Sequence, residues 1–310
     1  MDRKTLTEKR FKERYQHNHS KPGSGGIIKT YEKNKKQNNN ISDVYANLGF
    51  ACLTNENYAE ALPYFQKVID LEPNNQEALH NLGYIYEKMN RYGSAKQMYE
   101  QAIKLDPGNI ELIINIAHNL ELEGNYHGAV AYYKKAIERK PDAIVPRFCL
   151  AVLYDMHDMF DEALEEYNGV LEREPDSIKV LFNMVNLYLQ LGDYKKSINS
   201  LKKILELDPN NIEAWNNLGS LYLDLKNYRE ATIAFQRALL LNPFHEETHL
   251  NLARIQYFQY CSNPKSLKKE EITQRLNFVM SMNPKNKKGQ KLLNVVMKNG
   301  KKIQRNKLFD

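Results

Sequence analysis

From residue 42 to residue 245, apolar side chains recur at helical spacing in two blocks, break off, and begin again, and the cycle repeats every 34 residues. Pro73, Pro107, Pro141, Pro175, Pro209 and Pro243 mark the period without a slip. With each proline numbered 32, the frames run 42–75, 76–109, 110–143, 144–177, 178–211 and 212–245. Short breakers divide the two blocks, among them Asn55-Glu56-Asn57, Gly124-Asn125, Gly192-Asp193 and Lys226-Asn227. The pattern predicts two helices per frame. The proline falls in the turn after the second helix, which it cannot extend, and it helps to start the next. A fixed period of this length means one supersecondary unit stacked on copies of itself, each burying a face of its neighbour.

Aligned this way, positions 8, 20 and 27 are small: Gly49, Ala61, Val68; Gly83, Ala95, Ala102; Ala117, Ala129, Ala136; Ala151, Ala163, Val170; and Gly219, Ala231, Ala238. Position 24 reads Phe65, Tyr99, Tyr133, Tyr167, Leu201 and Phe235, and position 7 reads Leu48, Leu82, Ile116, Leu150, Met184 and Leu218. Tyr58, Tyr92, Tyr126, Phe160, Tyr194 and Tyr228 at position 17 read as core. These columns resemble the tetratricopeptide repeat over about four-fifths of the chain. The resemblance implies an all-α fold, a right-handed α-solenoid of seven helix-turn-helix repeats closed by a C-terminal capping helix.

Departures from the pattern carry expectations of their own. Val185, Ser197 and Ile204 replace small residues in frame 178–211, which predicts wider helix packing there. Pro63 lies inside a second helix and should bend or fray its first turns, whereas Pro146 falls in a first turn and is tolerated. A seventh, altered repeat spans 246–284, with helices over Thr248–Phe258 and Glu270–Met282 and its proline delayed to Pro284 by an insertion around CSNPKSL. Leu292, Leu293, Val295, Val296 and Met297 suggest the capping helix, within a basic end segment 285–310. Residues 1–41 cannot bury a core and read as a mostly disordered basic arm, with order starting near Ser42 as helix N-cap.

Charge sharpens this division. Residues 1–40 hold 11 Lys and Arg against 4 Asp and Glu, and residues 284–310 hold 9 against 1, while 41–283 hold 24 against 33. An acidic body thus carries two basic ends. Cys52, Cys149 and Cys261 form no CxxC pair, and the chain contains no apolar run of membrane-spanning length, so the reading is a cytoplasmic protein, with nuclear or assembly-associated placement open. The basic ends, KNKKQ at 33–37 and Lys285 to Lys307, could meet an anionic partner such as nucleic acid, anionic lipid or an acidic protein tail, or only solubilise the chain.

The candidate chemistry lies in one column. Position 6 of the first helices reads Asn47, Asn81, Asn115, Cys149, Asn183, Asn217 and Asn251. Asn is a mediocre helix former, so propensity does not select it. Each amide offers a donor and an acceptor, matching the N–H and C=O of an extended peptide. The column is similar to the asparagine ladder in the repeat region of O-linked N-acetylglucosamine transferase and to the peptide grooves of kinesin light chains. The resemblance implies that these residues grip a partner's backbone, with Phe50, His80, Tyr84, Ile114, His118, Phe148, Phe182 and Asn186 at positions 5 and 9 lining the same groove. The alternative for the amides is bonding to adjacent helices, and for their neighbours ordinary packing. Cys149 marks either a break in the ladder or a small buried residue. Ala46, Phe50, His80 and Tyr84 stand where chaperone-tail clamps carry lysine and asparagine, which argues against such a clamp.

Two further motifs dissolve on inspection. HEETH at 245–249 matches the zinc-protease pattern, but the register puts His245 in a turn, so the two histidines do not share one continuous helix. Gly23-Ser24-Gly25-Gly26-Ile27-Ile28-Lys29-Thr30 has Ile28 where a phosphate loop needs glycine before its lysine. No Ser/His/Asp arrangement or carboxylate pair stands out, and 26 residues follow Pro284, too few for a catalytic domain. The expectation is a non-enzymatic scaffold or adaptor, without cofactor, metal or small-molecule substrate, holding an extended peptide in its concave groove. The alternatives are an architectural subunit working through solenoid edges and tails, and a nucleic-acid accessory protein working through its tails.

Overall fold

The computed structural model describes residues 40–263 and 268–298. The expected arm, the glycine-rich 23–30 segment, the KNKKQ run and the tail beyond 298 lie outside these residues. Among them are fifteen helices in consecutive pairs. Frame 42–75 holds α1 (Ile41–Thr54) and α2 (Tyr58–Leu71), followed by α3 (Gln76–Lys88) with α4 (Tyr92–Leu105), α5 (Ile110–Leu122) with α6 (Tyr126–Arg139), and α7 (Ile144–Met156) with α8 (Phe160–Leu171). Then come α9 (Ile178–Gln190) with α10 (Tyr194–Leu207), α11 (Ile212–Asp224) with α12 (Tyr228–Leu241), α13 (Glu246–Ser262) with α14 (Lys269–Met282), and the single α15 (Lys287–Met297).

Local chemistry sets these boundaries. Asn75, Asn109 and Asn211, two residues past the repeat prolines, accept the N–H of Ala78, Leu112 and Ala214 at 3.0, 3.1 and 2.9 Å and so cap α3, α5 and α11. Asn125 and Asp193 cap α6 and α10 in the same manner. The cap of α1 is Asn40, and Ser42 lies buried in its first turn, so order begins slightly earlier than the Ser42 cap implies. Within each pair the turn needs a left-handed residue at position 15. Glu56, Asn90, Gly124, Asp158, Gly192 and Lys226 all have φ between 57° and 83° there. A single residue in this conformation reverses the chain between two antiparallel helices, and only two frames give it to glycine.

The core is built from positions 8 and 24. Phe65, Tyr99, Tyr133, Tyr167, Leu201 and Phe235 are fully buried. A Cβ on Gly49 would come within 2.7 Å of the Phe65 ring, a Cβ on Gly219 within 2.7 Å of Phe235, and one on Gly83 would overlap Tyr99. Frame 178–211 exchanges bulk across this contact: Val185 occupies position 8 and Leu201 replaces the ring. The position-17 aromatics differ from the expectation. They are half-buried, and Tyr194 is exposed, because they lie at the seam with the next pair: Tyr58 meets Tyr84 edge-on, and Tyr126 packs 4.1 Å from His157. α2 runs through Pro63 without interruption, so the first turns do not fray. α13 is longer at both ends than the sequence pattern predicts.

The described residues form two compact units, one ending at Pro175 and one starting at Asp176. Residues 40–175 hold 11 Lys and Arg against 22 Asp and Glu, a net −11, whereas 176–298 hold 18 against 11, a net +7. The acidity of the body therefore resides in the first unit.

Candidate functional site: the amide column of the first helices

In the first unit, Asn47, Asn81 and Asn115 sit at one position of α1, α3 and α5. Asn81 is 2% exposed, and its Nδ2 donates to the Glu77 carbonyl of its own helix at 2.8 Å. Asn115, also buried, places Nδ2 2.6 Å from Nε2 of His80 in the preceding pair. That contact spans adjacent repeats, and His80 accepts through its unprotonated nitrogen. Burial holds the His80 pKa below its ordinary value, which keeps that nitrogen free to accept. Asn47 is half-buried, and its Oδ1 has no hydrogen-bond partner. Cys149, at the same position of α7, is buried.

In the second unit, Asn183 on α9 is buried and Asn217 on α11 half-buried. Asn251 on α13 donates from Nδ2 to Ser220 Oγ of α11 at 3.5 Å and accepts from Arg254 Nη1 at 3.0 Å. Phe182 is half-buried and Asn186 exposed.

Of the flanking residues in the first unit, His80, Tyr84, Ile114 and His118 are half-buried. Phe50 belongs to the core, edge-on to Phe65 at 5.1 Å, and Phe148 packs 6.1 Å from Tyr167. Lys88 sits over the Tyr84 ring at 5.0 Å.

A second column, at position 12 of the same helices, was not singled out from the sequence. Glu87, Glu121 and Asp155 occupy it in α3, α5 and α7. Tyr133 donates its hydroxyl to Glu121 Oε2 at 3.1 Å, and Tyr99 is hydrogen-bonded to Glu87. Where position 24 lacks a hydroxyl, as in Phe65, Leu201 and Phe235, position 12 is Leu53, Leu189 or Leu223. In two of the three frames, then, the acid accepts from the buried phenol of its own pair, and this pairing of two columns twelve residues apart is the signal by which sequence could have found them. Glu87 also meets His118 Nδ1 of the next pair at 3.4 Å. Burial pulls the His118 pKa down, but the hydrogen bond and charge of Glu87 outweigh it and hold the pKa above its ordinary value.

His245 caps α13 by accepting from Thr248, while His249 lies within the helix with Nε2 2.8 Å from the Pro243 carbonyl. The two histidines serve different local bonds and share no site.

Paired antiparallel helices repeated at one spacing, with no strand among the described residues and a recurrent polar column on the first helix of each pair, define an α-solenoid scaffold for binding other proteins. Family models described as tetratricopeptide repeat match residues 53–113, 120–181 and 212–245, and one described as TPR repeat matches 185–226. Together these cover more than half of the chain, and it belongs to the tetratricopeptide repeat family. Among solved structures it is similar to the C-terminal part of a TPR repeat-containing protein from Cytophaga hutchinsonii, at 17% identity and TM-score 0.67, covering 79% of this chain and 98% of that one. A tetratricopeptide repeat protein from Parabacteroides merdae matches at 17% identity and TM-score 0.53, covering 83% and 98%. PilF of Pseudomonas aeruginosa matches at 15% identity and TM-score 0.51, covering 71% and 96%. At these identities the likeness is one of fold. No curated protein matches the chain. Among the described residues no helix is long and apolar enough to cross a membrane.

Proposed function

We propose that this protein is a non-catalytic adaptor that holds an extended segment of a partner protein along the first helices, with the position-6 amides as main-chain partners. The observation that carries the reading is the recurrence of asparagine at one position in six of seven repeats. Four of the six amides are buried and take part in packing, so the reading leans on the half-buried Asn47 and Asn217. Asn47 supports it further, since its Oδ1 is a buried acceptor without a partner and would gain one if the side chain turned toward a bound segment. Asn217 and Asn186 remain accessible. The amides of Asn81, Asn115 and Asn251 are bonded within the protein, so a peptide would exchange those bonds for its own. Each exchange gives at most about 0.5–1.5 kcal/mol, and affinity must then come from several amides acting together. His80, Tyr84, His118 and Phe182 would read the partner's side chains, and Phe50 and Phe148 would support the helices from beneath.

The test is capture of cellular partners by the wild type and by the triple variant Asn47→Ala/Asn183→Ala/Asn217→Ala, with crosslinked peptides sequenced. Loss of partners at an unchanged melting temperature, with wild-type crosslinks on α1, α3, α9 and α11, is the expected result. Retained partners, or a variant that melts much earlier, would assign the column to holding the helices together.

A further inference from the structure

A cleft lies away from the amide column, in the second unit, where α12 and α14 flank α13. It encloses about 610 Å³. It is lined by Leu239 and Leu240 of α12, Leu252, Ile255 and Gln256 of α13, and Arg275 of α14. On α13, residues 252, 255, 256 and 259 fall on one helical stripe and Asn251 and Arg254 on another, so the cleft and the amide column use different faces of one helix.

The cleft has an identifiable cause in the sequence. Position 11 of the first helix is Tyr86, Tyr154, Tyr188 and Tyr222 in four preceding frames, Cys52 and Leu120 in the other two, and Gln256 only here. Between α6 and α8 the corresponding space holds the Tyr154 ring, 5.9 Å from Nζ of Lys134. Gln236 of α12 occupies the repeat position of Lys134, and with Gln256 in place of tyrosine no aromatic ring lines the space.

Arg275 marks the site chemically. Its Nε donates to Gln256 Oε1 at 3.0 Å and its Nη1 to Nδ1 of His249 at 3.1 Å. Because His249 Nε2 bonds the Pro243 carbonyl, Nδ1 is left as an acceptor. Both partners of the guanidinium are therefore neutral. Arg275 is half-buried, and burial lowers its pKa. A partly desolvated cation with no carboxylate beside it among the described residues, at the edge of an apolar cleft, is an incomplete ion pair. Leu240, 74% exposed, extends the apolar wall into solvent.

We propose that this cleft docks an acidic amphipathic helix of a partner protein, apolar side chains on Leu239, Leu240, Leu252 and Ile255 and a carboxylate on Arg275. A helix satisfies its own backbone and presents apolar and acidic positions one turn apart, which suits a cleft walled by side chains. Charge selects the occupant. Residues 176–298 carry a net +7, and the chain's own end segments are basic, +7 over residues 1–39 and +3 over 299–310, so they do not complement Arg275. The guanidinium fork matches a carboxylate in two parallel hydrogen bonds.

A displayed library of amphipathic helices of about 16 residues, apolar on one face and randomised among Glu, Gln and Lys on the other, tests the proposal against the full chain. Glu-bearing sequences should be enriched, and their affinity should fall about tenfold or more in Arg275→Glu. Gln256→Tyr restores the common repeat residue and should abolish binding without lowering the melting temperature. Asn217→Ala should bind normally, which separates this surface from the amide column. Enrichment of Lys-bearing helices, no enrichment at all, or Glu-bearing helices that bind Gln256→Tyr as well as wild type would overturn it.

Discussion

Tyr133 is fully buried, and a buried hydroxyl left without an acceptor costs about 1–3 kcal/mol. Glu121 supplies that acceptor. Replacing Glu121 by Leu alone should therefore destabilise the protein by about 1–3 kcal/mol, whereas Glu121→Leu with Tyr133→Phe, which copies the Leu223 and Phe235 pair of a later repeat, should come close to neutral. Urea unfolding of the two single variants and the double variant measures the difference. Glu87 carries a further partner, His118, whose folded pKa is raised. A raised pKa means that the folded state holds the proton more tightly than the unfolded chain. The resulting stability is fully present below the unfolded value of about 6.5 and fades as pH rises through the folded value. His118→Gln should accordingly be most destabilised relative to wild type near pH 5.5, and the gap in melting temperature should shrink by about pH 8.5.

At the scale of the element, each helix pair closes on one small-to-large contact. In α3 and α4 the partners are Gly83 and Tyr99, and an added methyl at Gly83 would overlap the ring. Gly83→Ala should cost about 1–3 kcal/mol in thermal unfolding, and Gly83→Ala/Tyr99→Leu, which moves toward the Val185 and Leu201 solution of α9 and α10, should recover part of it. The helices themselves were legible because their punctuation is local: prolines, capping asparagines and apolar spacing act within a few residues. The position-17 tyrosines depart from the core expectation for the opposite reason. Their periodicity matches that of core residues, but their exposure depends on how much of the ring the next pair covers, and Tyr194 is left 46% exposed. The run of α2 through Pro63 likewise reflects packing, since Ala61, Phe65 and Val68 around it are buried.

On the scale of the whole molecule, a repeat protein is stabilised between neighbours, so damage should remain near its origin. Leu292 of α15 joins Ile272, Leu276 and Ile255 in one cluster. Leu292→Asp should strip hydrogen-exchange protection from α13, α14 and α15 while α1 to α4 remain protected, as amide exchange read by mass spectrometry can report. Exchange lost evenly along the chain would instead indicate a single cooperative block. The charge pattern also resolves at this scale: the acidic body becomes a first unit of −11 and a second of +7, a division that a 34-residue period does not reveal.

By itself the sequence determined the fold class, the register of every repeat and the existence of the asparagine column, because a period repeated six times writes the same local physics six times over. The tertiary structure alone decided which amides are buried and bonded to neighbouring repeats, that Glu87 and Glu121 answer buried phenols, and that Gln256 leaves a cleft open beside Arg275. Those outcomes depend on which side chains face one another across helices, and proximity of that kind is settled only when the pairs stack.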